Sequence, residues 1–201
     1  MIPTQSNMVA FCHSDIGELW AILIEKAYAK AYGGYWNTGA GSQSENALVN
    51  LTGAPCETLQ WKDKNEEAKI FDQIFEADYK KYIMNAGSKG KGEIKNTSGI
   101  ISGHAYTVVG AYKLPNGQKL LKLRNPWGKG EWVGDYSDSS PLWTTELKRQ
   151  LGWSNEDDGS FFMPVESFLN NFDSCAICHY RDDYFLSSLS DINPKNTFAM
   201  Y

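Results

Sequence analysis

Apolar residues recur at helical spacing early in the chain and at alternating positions later, a pattern that predicts helices first and strands afterwards. Leu19, Trp20, Leu23, Ile24, Ala27, Tyr28 and Ala31 share one helical face that stops at Gly33-Gly34. Ser42-Gln43-Ser44-Glu45 fits a capping box ahead of a short helix through Leu48 and Leu51, with Gly53 as its stop. Ile70, Phe71, Ile74, Phe75, Tyr79 and Tyr82 form the apolar face of a longer helix from about Asn65. After a loop opened by Lys89-Gly90-Lys91-Gly92, two apolar strand patterns flank the turn signal Leu114-Pro115-Asn116-Gly117 and predict a hairpin. A polar helix near Thr144 to Leu151, a strand at Phe161 to Met163, a short helix at Val165 to Asn170 and a strand at Cys175 to Tyr180 follow. The Ser- and Asn-rich stretch from about Leu186 reads as a tail or linker, so the expected organisation is one unit over 1–185 and a tail over 186–201.

Composition narrows the function classes. With 201 residues, 42% of them hydrophobic, the chain can bury the core of a single domain. A net charge of −5 and a pI near 5.2 give no basic footprint for nucleic acid. The longest apolar run, around Ala21 to Ile24, is too short for a membrane span. Met1-Ile2-Pro3-Thr4 lacks the regions of a signal peptide, and four cysteines without a dense framework suit a reducing compartment. The expected location is cytoplasmic.

Candidate chemistry sits on the hairpin. His104 begins one strand pattern and Asn125 ends the other, with Trp127 two residues beyond. A His oriented by an Asn is the general-base half of a papain-type cysteine protease, in which the imidazole takes the proton of a Cys thiol. Trp127 beside that pair would shield the hydrogen bond from water. Register tests the idea. A two-residue Asn116-Gly117 turn would leave the pair ~13 Å apart along one face, since a strand rises about 3.3 Å per residue. A four-residue loop puts Asn125 opposite Tyr106, a diagonal neighbour of His104 at ~7 Å. A six-residue connection from Tyr112 to Gly117 sets His104 opposite Asn125. The catalytic reading therefore requires a wide connection or a bulge.

The cysteines offer weaker chemistry. Cys12 precedes His104 in the order a nucleophile should, but Val9-Ala10-Phe11 and Ser14-Asp15 read as strand into loop. An activated thiol of this type sits at a helix N-terminus that lowers its pKa. Cys175-Ala176-Ile177-Cys178-His179 has the spacing of a haem attachment or half a zinc site, yet it alternates like a strand and has no second Cys pair.

Gly103-His104-Ala105-Tyr106, Arg124-Asn125-Pro126-Trp127-Gly128, Glu131-Trp132 and Tyr136-Ser137-Asp138 together resemble the second half of a calpain catalytic domain. Glu18-Leu19-Trp20 with Leu23 to Lys30, Leu51-Thr52-Gly53 and Asp158-Gly159-Ser160-Phe161-Phe162-Met163 follow the same order, so the resemblance covers about Val9 to Tyr180. It implies an α+β, papain-like cysteine proteinase fold, here the second lobe, with antiparallel β-sheets flanked by helices and the first, nucleophile-bearing lobe absent. The nucleophile segment of calpains, roughly Gln-Gly-x-Leu-Gly-Asp-Cys-Trp-Phe, does not occur in these 201 residues.

The resemblance implies His104 and Asn125 as catalytic residues supported by Trp127. It also implies Gly39, Gly41 and Gly103 as substrate-binding positions, although Gly39 and Gly41 read equally as turn residues. It implies a Ca²⁺ site on Glu131, Asp138 and Asp158, with a backbone carbonyl at Glu156 and Ser160 standing where a further acid is expected. Read as surface, those acids are a solvated face. Two functions follow. In the first, the chain is the His/Asn half of a calpain-like, calcium-dependent cysteine endopeptidase, inactive alone, completed by a Cys-bearing lobe in the same or another chain and acting on a polypeptide substrate. In the second it is a non-catalytic, pseudoprotease-like module that binds a protein partner in a larger assembly.

Overall fold

Buried and exposed positions alternate along residues 105–110 and the phase shifts at Ala111, the pattern of a strand inside an antiparallel sheet with one irregularity. The structure, a computed structural model, describes residues 4–5, 8–9, 12, 17–39, 41–62 and 64–183. The expected tail, 186–201, lies outside them. The chain divides into two compact units, Met1–Gln43 and Ser44–Tyr201.

In the first unit, β1 (Thr4–Gln5) pairs antiparallel with β2 (Met8–Val9). The apolar stripe predicted from Leu19 forms α1 (Trp20–Ala31), and a short helix that the pattern does not announce, α2 (Tyr35–Gly39), follows the Gly33-Gly34 stop.

The second unit opens with α3 (Ser44–Thr52) and β3 (Cys56–Gln60). A 3₁₀ turn leads into α4 (Glu67–Tyr79), which buries Ile70, Phe71, Ile74 and Ala77. Tyr82 lies beyond that helix rather than on its stripe, because the chain reverses at Lys81 (φ 61°) into β4 (Ile83–Ser88). Next come β5 (Ala105–Lys113), β6 (Lys119–Arg124), α5 (Thr145–Leu151), β7 (Ser160–Pro164), α6 (Val165–Asn171) and β8 (Phe172–Cys178). The last strand thus starts three residues before the predicted Cys175 and ends before Tyr180.

The six strands of this unit form one antiparallel sheet in the order β3-β8-β4-β5-β6-β7. Its two faces carry separate clusters. Leu121, Leu123, Phe161 and Met163 face α4 and α6 with Phe71, Ile74, Tyr106, Phe168 and Phe172. The alternate residues Leu120 and Phe162 face the other way, onto Leu114, Tyr136 and Trp143, with Leu147 and Leu151 of α5 at the edge. Period-two burial on both faces is what a sheet covered on both sides requires.

The hairpin register answers the question the sequence raises. Leu114 N donates to Gln118 O at 2.8 Å, so three residues, Pro115 to Gly117, make the loop. Lys113 pairs with Lys119 and Gly110 with Lys122, but Val108 pairs with Leu123 and Thr107 with Arg124. Val109 is the extra residue of a β-bulge. Below the bulge, the strands have the register of a four-residue loop.

Candidate active site

Asn125 follows the last residue of β6 and is fully buried. Its Oδ1 lies 3.0 Å from His104 Nε2 and accepts from Trp127 N at 3.1 Å. Its Nδ2 donates to the carbonyls of Lys129 (2.9 Å) and Gly130 (3.3 Å). Two carbonyls on one side fix which end of the amide faces the imidazole, since an oxygen there would find no donor. The bulged register, which sets Asn125 one step past Arg124, brings the diagonal pair into contact.

His104 is held as firmly. Ser88, the last residue of β4, donates N–H to His104 O (2.9 Å), and its Oγ accepts from His104 N (2.9 Å). The imidazole packs edge-on against Tyr106 (centroids 5.1 Å apart, 87°) and lies tilted against Trp127 (4.6 Å, 51°). Tyr106 is itself anchored, its hydroxyl accepting from Ile101 N at 2.8 Å. Trp127 covers one side of the pair yet is 46% exposed, so its shielding is partial. On the far side of the ring, Nδ1 lies 2.9 Å from Glu93 Oε1. Gly103 precedes the ring with φ 61°, and a Cβ there would meet Gly92 N at 3.1 Å and Lys91 Cα at 3.3 Å. Glycine at this position lets the segment carrying Glu93 pass close to His104. An imidazole oriented through one nitrogen by an amide oxygen can exchange a proton through the other.

A second cluster lies among the acids. Glu131 and Asp138 share a hydrogen bond between their carboxyl groups, and Asp157 and Asp158 add their fields to Asp138. Burial, then the neighbouring charge of Asp138 and that shared bond, push Glu131 up to about 7, against a smaller opposing effect of the Gly159 N–H. Burial, then Asp158 and Asp157, raise Asp138, while its bond to Glu131 and the charge of Lys148 act the other way. The shared proton is best placed on Glu131. Asp158, Ser160 and Glu156 line a cavity of about 130 Å³ with Asp138 and Lys122. Asp158 Oδ1 accepts from Ser160 N (2.7 Å), and the Glu156 carbonyl accepts from Asp158 N (2.8 Å). Among the described residues no group of three or more His, Cys, Asp or Glu is arranged to hold a metal.

One peptide links the two clusters. Gly159 donates N–H to Glu131 Oε1 at 3.0 Å, and its carbonyl accepts from Asn125 N at 2.8 Å. The predicted positions therefore sort into three sets. His104, Asn125, Trp127 and Gly103 meet at one end of the hairpin, while Glu131 pairs with Asp138 and Asp158 lines a cavity with Asp138, so the three expected Ca²⁺ ligands are not drawn together as one metal set among the described residues. Gly39, the last residue of α2, and Gly41 (φ 79°) belong to the first unit. Ser88, Glu93 and Gly159 were not singled out for this site by the sequence.

The cysteines look inert. Burial and the Glu25 carboxylate raise Cys12, the reverse of thiol activation. Burial takes Cys175 up to about 12, and Cys175 and Cys178, three apart on β8, point to opposite faces.

Comparison with known proteins identifies the family. A family profile described as "Calpain family cysteine protease" matches residues 1–179. Calpain-9 of Rattus norvegicus is 38% identical over 194 residues, which is 90% of this chain and 28% of that protein. Calpain-12 of Mus musculus is 36% identical over 185 residues (88% and 25%), and a calpain of Schistosoma mansoni is 36% identical over 182 (86% and 24%). The chain spans about a quarter of the length of these relatives. It belongs to the calpain family of cysteine proteases.

Proposed function

We infer that the second unit is the base-bearing lobe of a papain-like, calpain-type endopeptidase. The supporting observation is the 3.0 Å contact between His104 Nε2 and an Asn125 amide whose orientation is locked by four partners. In this reading His104 takes the proton of a Cys thiol and returns it to the leaving amine, and Asn125 holds the imidazole at the needed angle. Gly103 presents backbone to an extended polypeptide, and the same role is proposed, within the first unit, for Gly39 and Gly41. The thiol and the oxyanion donors come from outside residues 1–201, in the same polypeptide or another. Four free thiols suit a reducing, cytoplasmic setting, and no described helix is long and apolar enough to cross a membrane.

The test is complementation. The 201-residue chain alone should hydrolyse no peptide bond, and addition of the Cys-bearing lobe of a calpain relative should yield cleavage of an unfolded polypeptide. A complex that assembles and stays silent would favour the non-catalytic, partner-binding reading. Turnover by the chain alone, abolished by Cys12→Ala, would transfer the nucleophile's role to Cys12.

The acid cluster fits a hard divalent cation in its chemistry. Glu131 and Asp138 are carboxylates forced together with a shared proton, and Ca²⁺ would replace that proton, with Asp158 as a third oxygen donor. Ca²⁺ there supplies charge neutralisation and cross-linking of the loops. The pH consequence has a definite sign. Glu131 holds its proton more tightly when folded, so the metal-free chain has this stability in full below about 4.5 and loses it as pH rises towards about 7. The loss is on the order of 1 kcal/mol once solvent screening of a partly exposed pair is allowed for. Thermal melts across that window should show it, Ca²⁺ at roughly 10⁻⁴ to 10⁻³ M should reverse it at the upper end, and Glu131→Gln should show neither effect. Melts indifferent to Ca²⁺ would leave the acids as surface charge.

A further inference from the structure

His104 is hydrogen-bonded on both nitrogens, and both partners are acceptors. Asn125 presents Oδ1 to Nε2, because its Nδ2 is committed to the carbonyls of Lys129 and Gly130. Glu93 presents a carboxylate oxygen to Nδ1 at 2.9 Å. A neutral imidazole carries one N–H and can satisfy one acceptor, whereas a ring protonated at both nitrogens satisfies both. The groups that face the ring are Glu93 from the segment after β4, Tyr106 from β5, and Asn125 and Trp127 from the end of β6, while Ser88 of β4 holds the His104 backbone. Of these Glu93 alone is charged.

The position of that charge is informative. Once an orienting group holds one nitrogen of a general base, the nucleophile takes the other. In a Cys–His pair the reactive form is a thiolate against an imidazolium. Glu93 therefore supplies a negative charge at hydrogen-bond distance from the nitrogen a thiolate would face. We propose that Glu93 is an internal stand-in for the nucleophile, an autoinhibitory contact that caps His104 Nδ1 until the thiol of the nucleophile displaces it. This rests on the reading of His104 as a protease base.

The surroundings suit an exchangeable contact. The His104 side chain is 7% exposed and that of Glu93 56%, so the base is fixed while its cap borders solvent. Glu93 follows Gly92 (φ 73°) on an exposed segment, and the chain is tied again just beyond, where Ser102 N donates to Ile94 O at 2.9 Å. Rotation of one side chain clears Nδ1 without disturbing the hydrogen bonds of Ser88, Asn125 or Tyr106. As the carboxylate leaves and regains water, the imidazole gives its Nδ1 proton to solvent and can take the proton of the incoming thiol, so that the thiolate formed replaces the carboxylate's charge.

The experiment reads the ring itself in the 201-residue chain, by long-range ¹H–¹⁵N correlation of His104 at neutral pH. The unaltered chain should show protons on both Nδ1 and Nε2. Glu93→Ala should lose the Nδ1 proton and keep the one facing Asn125, and Glu93→Gln, which preserves shape without charge, should do the same. Acetate added to Glu93→Ala should restore the Nδ1 proton by filling the vacated anion position, a rescue that a merely structural role for Glu93 would not give. A bare Nδ1 in the unaltered chain, a ring unchanged by either substitution, or failure of acetate to rescue would each overturn the proposal. No turnover is measured, so failure here is distinct from failure of complementation.

Discussion

Gly159→Ala is expected to destabilise the second unit by about 3 kcal/mol, read as a fall in the denaturant midpoint without a change of slope. An added Cβ would lie 2.7 Å from the Asn125 carbonyl oxygen, 3.0 Å from Lys129 N and 3.1 Å from the Gly128 carbonyl carbon, all of them backbone atoms. Backbone cannot rotate away as a side chain does, and φ of 81° adds strain for any residue with a Cβ. Relief requires the strand end at Asn125 to separate from β7, so the His104–Asn125 contact should loosen in the same variant. Gly152→Ala is the control. Gly152 has φ 59° at the end of α5 and nothing within 4 Å of its would-be Cβ, so it should lose only about 1 kcal/mol. Equal losses for the two variants would mean that the close approach at Gly159 has little energetic weight.

In a complemented, active enzyme, His104→Ala should lower kcat by roughly 10² to 10⁴, the range of a general base, with a small change in stability. Asn125→Ala should behave differently. It removes a side chain with four hydrogen-bond partners from a fully buried position, leaving Trp127 N and the Lys129 and Gly130 carbonyls short of a partner. A loss of about 2 kcal/mol or more should therefore accompany its fall in rate. Steady-state kinetics beside chemical denaturation separate the two. His104→Ala with undiminished kcat would remove the base role, and Asn125→Ala with wild-type stability would contradict the buried network.

Much of the fold was legible because burial imposes period. Ile70 to Phe75, Phe161 to Met163 and Val165 to Asn170 fall on elements of the predicted type, and the stripe from Leu19 leads into α1 although Leu19, Trp20, Leu23 and Ile24 stay exposed. The strands that escaped notice lack that signature. Ile83-Met84-Asn85-Ala86-Gly87-Ser88 is rich in small residues with weak strand preference, and Cys56 to Gln60 mixes Glu and Gln into a short run. Neighbouring strands decide both. The spacing of Tyr82 from Tyr79 and Phe75 fits the helical stripe, and nothing in the apolar pattern announces the reversal at Lys81.

The site divides the same way. His104, Asn125 and Trp127 could be picked out because their residue types are uncommon in that arrangement. Ser88 and Gly159 act through backbone hydrogen bonds that any sequence might disguise, and Glu93 in a polar loop looks like any solvated acid. The acids at 131, 138 and 158 are far apart in sequence, and the sheet end that gathers Glu131 to Gly159 is a tertiary fact.

The bulge at Val109 bears on how this hairpin tolerates insertion and deletion. Tyr106, Val108 and Ala111 all enter the core, though the last two are three positions apart, because Val109 stands outside the ladder at 46% exposure. Removing that one residue would leave Val108–Leu123 and Gly110–Lys122 as consecutive pairs, with every flanking side chain on its present face. The same loss between Ala105 and Val108, absorbed by closing the bulge, would turn over the side chains between the deletion and Val109 and so disturb the core face of the strand. A lineage can therefore gain or shed a residue at 109 while its imidazole–amide pair stays in register, and comparisons of hairpin length among relatives should be anchored at the pair rather than at the turn.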